Sequence, residues 1–344
     1  MHTRTGLTVA LSAVACSAGI SHAGVIFGFS GSGLGGGYRW DAAPRVFNLG
    51  GTNYERSLNG GLRYSLQGGS YQAFRDRFTW SSTPSVADFT TAINQAFAAW
   101  TSVDPATGLP SGVSFVADLS TPVVGTGAGG INAQGAEIDL FGSNDANFWN
   151  PGNSGTQGET YFNASNGAVK LTSGTVGYAG GGAITGADIT MNSNPQAVYS
   201  LDVFRRILTH EIGHAIGLGD VEGDINPGAF IDDNYNGSSS ATALATLTNS
   251  WALLVDPANP AASPLSRYTA AFADPGVLTA GVDILMESRG VGIAAGNPLS
   301  NLVPLTNDDY GTRQFLYPMI PAPSALAVAG LLGASLAVRR RRGA

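Results

Sequence analysis

The chain has 344 residues, with 17 basic and 24 acidic side chains, four His and one Cys. A pI near 5.0 excludes a protein that coats nucleic acid, which needs clustered positive charge. A single Cys excludes a disulfide framework and any zinc site built on several thiolates, while 43% hydrophobic residues suffice for a packed core.

In chain order, residues 1–23 read as a secretory signal. Arg4 gives a positive n-region, Gly6–Ala15 an apolar h-region, and Ser21-His22-Ala23 a small-residue cleavage site. Residues 24–61 are Gly-rich with scattered aromatics (Phe27, Phe29, Tyr38, Trp40) and fit a propeptide, an N-terminal arm or an added hairpin. Leu62–Leu66 alternates and predicts a strand. Ser85–Val103 predicts a helix: Ser85 is the N-cap with Asp88 three residues on, and Phe89, Ile93, Ala96, Phe97 and Trp100 form one apolar stripe. Val113–Val116, Ala136–Leu140, Gly174–Tyr178 and Ala187–Met191 are strand candidates, the last two separated by the Gly-rich stretch Ala179–Gly186. A second helix is predicted over Leu201–Ile216. Strands, helix, strands, helix imply an α+β layered fold without repeats.

The second helix ends in LTHEIGHAIGLGD. His210 and His214 are four apart, so on a helix they lie about 40° apart on one face, one turn above the other. That spacing lets two imidazoles converge on one metal ion, with Glu211 at the edge of the same face, within reach of a water on that ion. Phe204, Leu208, Ile212, Ala215 and Ile216 form the opposite, core-facing side. With the six Glu and four His of this chain, H-E-x-x-H arises by chance roughly 0.001 times, so two incidental surface His are a poor account of the motif. A catalytic zinc normally has three protein ligands. The third must come from an oxygen: Gly217 can stop the helix in a left-handed conformation, and Asp220 follows, with Glu222 and Asp224 as competitors.

Here the chain resembles the metzincin clan of zinc endopeptidases, and within it the matrixins. The family motif H-E-x-x-H-x-x-G-x-x-H, with Asp for the last His in some small bacterial members, is matched by His210, Glu211, His214, Gly217 and Asp220. Asp283-Ile284-Leu285-Met286-Glu287 looks like the family's Met-turn, with Met286 as its Met. Thr306, Asp308 and Asp309, running on to Leu316 and Tyr317, are similar to the start and end of its terminal helix. The helix Ser85–Val103 matches its first helix. The resemblance implies a twisted mixed sheet packed with a first helix and an active-site helix, followed by a C-terminal subdomain holding the Met-turn and the last helix. It implies Zn2+ on His210, His214 and Asp220, Glu211 as general base, and a protein or peptide substrate extended along an edge strand. That strand is expected within Gly174–Gly186 or Ala187–Met191. Catalytic residues thus fall in a domain of residues 62–320. A rival expectation is an inactive metzincin-fold surface protein of the cell envelope; a third is a zinc hydrolase acting on a non-peptide amide.

The chain departs from a compact matrixin in an insertion at about 221–280. It holds Asp232, Asn234 and Asn236, which fit the start of a Ca2+ loop, but position 12 of that loop is Ala243 rather than a bidentate Glu. Latency through a Cys on the metal is impossible; if the N-terminal arm inhibits, Asp41 is a carboxylate it could use. Residues 321–344 form a tail. Pro321-Ala322-Pro323 precedes the apolar run Ser324–Val338 and then Arg339–Arg342, a membrane stop with its positive end cytoplasmic. The tail resembles the PEP-CTERM sorting tails of Gram-negative envelope proteins, although the first three residues are Pro-Ala-Pro. It implies an exosortase-type partner and an exported, envelope or secreted location. Residues 24–320 then carry 12 basic and 24 acidic side chains, no Cys, and only two His, both in the motif.

Overall fold

The computed structural model describes residues 25–26, 37–49, 51–104, 108–123, 135–144, 157–166, 168–173, 181–219, 285–286, 305 and 307–319. The signal segment 1–23, the tail 321–344 and the insertion lie outside them. Among the described residues no helix is long and apolar enough to cross a membrane. The elements are β1 (Val25–Ile26), β2 (Gly37–Arg39), β3 (Val46–Leu49), β4 (Thr52–Glu55), β5 (Leu62–Leu66), α1 (Tyr71–Arg75), β6 (Thr79–Trp80), α2 (Val86–Thr101), β7 (Phe115–Ala117), β8 (Ile138–Ser143), β9 (Gly158–Asn166), β10 (Gly181–Asn192), β11 (Val198–Tyr199), α3 (Leu201–Ala215), β12 (Leu218–Gly219) and α4 (Asn307–Leu316).

The fold is mixed α/β with a mostly parallel sheet. Its order is β2-β10-β8-β5-β7, all parallel where paired, and β9 adds antiparallel to β10. Two helices cover one face. Ser85 caps α2, its hydroxyl accepting from Asp88 N at 3.1 Å, and the expected stripe Phe89, Ile93, Ala96, Phe97 and Trp100 is buried. Ser200 caps α3 in the same way, accepting from Val203 N at 3.2 Å. The two helices are tied where Trp100 Nε1 donates to Thr209 O at 2.7 Å. Phe204 lies in a ring of mainly edge-on aromatics that includes Phe78, Trp80, Phe89 and Tyr199, an arrangement favoured by the ring quadrupoles.

Three expectations need correction. Ala179–Gly186 is not a Gly-rich separator: residues from Gly181 on belong to β10, which runs unbroken to Asn192. Gly182 answers crowding, since a Cβ there would stand 2.9 Å from both Ser165 O and the Tyr38 ring, while Gly186 has open space and sits beside a register shift against β9. The strand read at Val113–Val116 forms two residues later as β7, and that read at Ala136–Leu140 runs from Ile138 to Ser143. Gly174–Tyr178 lies outside the described residues.

The Gly-rich arm supplies β2 and a tie across the molecule. Trp40 is 1% exposed; its Nε1 donates to Ala215 O at 2.9 Å, at the end of α3. The Tyr317 hydroxyl, just past α4, accepts from Trp40 N at 3.1 Å and donates to Ile216 O at 2.7 Å. Arg39 Nη1 donates to Phe315 O and Leu316 O, satisfying carbonyls that the end of α4 leaves open. Three distant segments thus meet in buried hydrogen bonds. Removing the hydroxyl leaves two buried backbone groups without their partner, so Tyr317→Phe is expected to destabilise by about 1–3 kcal/mol, read as a lower urea midpoint.

At the opposite sheet edge, Arg63 bridges Glu137 (Nε to Oε2, 2.9 Å) and Asp118 (Nη1 to Oδ2, 3.2 Å), while Arg56 reaches Glu137 Oε1 at 2.7 Å. The Thr121 hydroxyl foremost, then Ser120, the Thr121 amide and Arg63, hold Asp118 down at about 2, below its ordinary 3.8. A depressed carboxylate stabilises the fold above its unfolded pKa, and that stability is lost as pH falls through the folded value. Asp118→Asn should therefore abolish part of the stability change between about pH 4 and pH 2, measured by unfolding across that window.

Candidate metal centre

The motif lies in the last two turns of α3, and both faces of that helix end are buried. His210 is 4% exposed, Glu211 4% and His214 6%, while Phe204, Leu208, Ile212, Ala215 and Ile216 are 0% exposed, as the helical spacing predicts. Burial of two imidazoles and a carboxylate is costly without polar partners. Each has them. His210 Nδ1 lies 2.7 Å from Leu285 O, and His214 Nδ1 2.8 Å from Leu218 O. A carbonyl oxygen can only accept, so each Nδ1 carries a proton, which leaves Nε2 as the nitrogen able to offer a lone pair. The two rings stand 4.5 Å apart between centroids at 88°. A backbone carbonyl that fixes the tautomer is the usual companion of a metal-binding imidazole.

The two carbonyls come from two turns. Leu218 follows Gly217, whose φ of +103° lies in the region that favours glycine and lets the chain fold back after α3. A Cβ there would collide with Tyr38 O. Leu285 precedes Met286, which is 1% exposed and packs beneath α3 at Gly213. A Cβ on Gly213 would meet Met286 Sδ and stand 2.7 Å from Trp100 Cζ2. The structure thus brings His210, Glu211, His214, Gly217 and Met286 together. Asp220, Glu222 and Asp224 lie outside the described residues, as do Asp232, Asn234 and Asn236. Among the described residues no group of three or more His, Cys, Asp or Glu forms a metal cage.

Glu211 faces β9, a strand absent from the sequence expectations. The Thr160 hydroxyl donates to Glu211, lying 2.7 Å from Oε2 and 3.0 Å from the backbone oxygen. Of the two stretches expected to hold the substrate strand, Ala187–Met191 is paired on both sides, with β8 and with β9, so its backbone has no open edge, and residues 174–180 of the other lie outside the described residues. Among the described residues the antiparallel edge beside the motif is β9. Its sequence, GETYFNASN, lacks the aliphatic alternation that signals a half-buried strand; in the structure Tyr161 stands 40% exposed. Asp41, the carboxylate named for the N-terminal arm, is engaged within its own turn. It accepts from Ala43 N and Lys170 N and pairs with Arg45 at 2.7 Å, holding the turn after β2.

No family model matches the chain, and no curated protein matches it.

An alanine in mid-helix is favoured over glycine by about 1 kcal/mol, but overpacking a filled core costs about 1–3 kcal/mol. With Trp100 pinned by its bond to Thr209 O, overpacking wins at Gly213. Gly213→Ala should lose about 1 kcal/mol of stability by urea denaturation; unchanged or higher stability would mean that Met286 does not hold that seat.

Proposed function

We propose that the chain is an exported zinc endopeptidase of the metzincin clan, similar to the matrixins, with His210, His214 and Asp220 as ligands and Glu211 as general base. The observation that carries this reading is the pair of Nδ1–carbonyl bonds. They set two buried imidazoles one helical turn apart in the tautomer that presents Nε2 as donor atom. Gly217 and the short strand β12 lead directly to Asp220, the nearest oxygen ligand after the motif, with Glu222 and Asp224 as alternatives. The mostly parallel sheet with an antiparallel edge beside the motif helix supports the same reading.

When bound, zinc supplies a Lewis acid that polarises a peptide carbonyl and makes water acidic near neutral pH. Glu211 takes the proton of the attacking water and delivers it to the leaving amine. An extended peptide adds to the outer edge of β9 through main-chain hydrogen bonds, which give affinity without reading side chains. Export by residues 1–23 and processing of residues 321–344 by an exosortase-type enzyme would set this activity at the cell envelope.

The purified protein should retain stoichiometric zinc and cleave members of a mixed peptide library. Glu211→Gln should keep the metal and lose about 10²–10⁴-fold in kcat/KM. Bound zinc with no cleavage above that of the variant would favour an inactive envelope scaffold, and no zinc at all would sink both metal readings.

A further inference from the structure

We infer that Gly158 and Thr160 form a notch on β9 that fixes the Glu211 carboxylate, making Thr160 a positioning residue for the general base; this rests on the role proposed for Glu211. The two residues are two apart on a strand, so both face α3. In register they sit opposite Met191 and Ile189, both fully buried. Thr160 donates the one proton of its hydroxyl across 2.7 Å to Oε2 and 3.0 Å to the Glu211 backbone oxygen, so the same hydroxyl holds the side chain and its helix turn. Gly158 makes room: a Cβ there would stand 2.9 Å from Cγ and Cδ of Glu211 and closer still to Oε1. A glutamate has three side-chain torsions, and proton transfer requires its oxygen in one place. The notch supplies that restraint.

The start of β9 is itself pinned. Tyr199 donates to Gln157 O at 3.0 Å and Asn192 O at 2.8 Å, and Asn192 N donates to Gln157 O at 2.9 Å, so the residue before Gly158 is tied to the end of β10 and to β11, which leads into α3. Because β9 is also the edge offered to substrate, one strand sets the position of the base and that of the bond to be cut.

Two independent measurements test this. In the metal-free full-length protein, a double-mutant cycle of Thr160→Val and Glu211→Met should show a coupling of about tenfold in the unfolding constant. Additive effects would overturn the notch whether or not the protein is a protease. In the zinc-loaded protein, Thr160→Val and Gly158→Ala should keep metal content and KM but lower kcat about tenfold or more, and Thr160→Ser should restore it. Wild-type kcat in Thr160→Val, or no rescue by Ser, would overturn the positioning role. A wild type no more active than Glu211→Gln would remove the proposed peptidase reaction instead, leaving the cycle to decide the notch.

Discussion

Both imidazoles of the motif donate from Nδ1 to backbone carbonyls, and much of the surrounding architecture exists to supply those two oxygens. The first, Leu218 O, requires α3 to stop within one turn of His214, which needs glycine at 217, and glycine again because Tyr38 O leaves no space for a Cβ. The second, Leu285 O, comes from a segment 75 residues away and is held at the right height by the next residue, Met286, seated under Gly213. Backbone acceptors have a consequence for the chemistry. They cannot donate, so neither ring can change tautomer without breaking its bond, and no side-chain substitution at 218 or 285 removes the acceptor itself.

The remaining ties follow the same pattern. Of 17 basic residues only Lys170 is not arginine, although the chain is poor in charge. Several of these arginines are interior. Arg39 joins β2 to the end of α4, Arg56 joins Glu137 to Gly135 O, and Arg313 reaches from α4 to Trp100 O and Ser102 O at the end of α2. A guanidinium carries five donors in a rigid fork and can satisfy several carbonyls where an ammonium would be a point charge. Burial lowers Arg313 to about 10, still charged at neutral pH. Low charge and a well-connected interior are therefore compatible: few cations are present, and many of them tie carbonyls together.

The two long helices were legible because their signals are local, whereas the single-turn α1 was not read. Ser85 and Ser200 each cap the helix that starts at the next residue, and the stripes on α2 and α3 repeat at helical spacing. The motif helix and its two His needed nothing else. β9 was not legible because an edge strand needs few apolar residues, and Thr160 reads as an ordinary polar strand residue until Glu211 stands against it. β10 was read as only five of its residues because its glycines mimic a loop; Gly182 marks close neighbours instead, and Gly186 a register shift. The role of Trp40 was hidden by a Gly-rich context, and that of Asp41 by the absence of any local sign that the amide of Lys170 returns to it. Most of these misses depend on a contact between residues far apart in the chain.

The tie at Tyr317 also sets an order of events in time. Trp40 leaves the ribosome early, yet its partner lies 277 residues later, and the same hydroxyl closes the end of the motif helix at Ile216. A contact of such separation forms late, because the loop it closes must first lose its freedom. The bond that joins the N-terminal strand and the end of the motif helix through one hydroxyl therefore awaits the last helix. A truncated chain ending before Tyr317 would leave Trp40 N and Ile216 O without that hydroxyl.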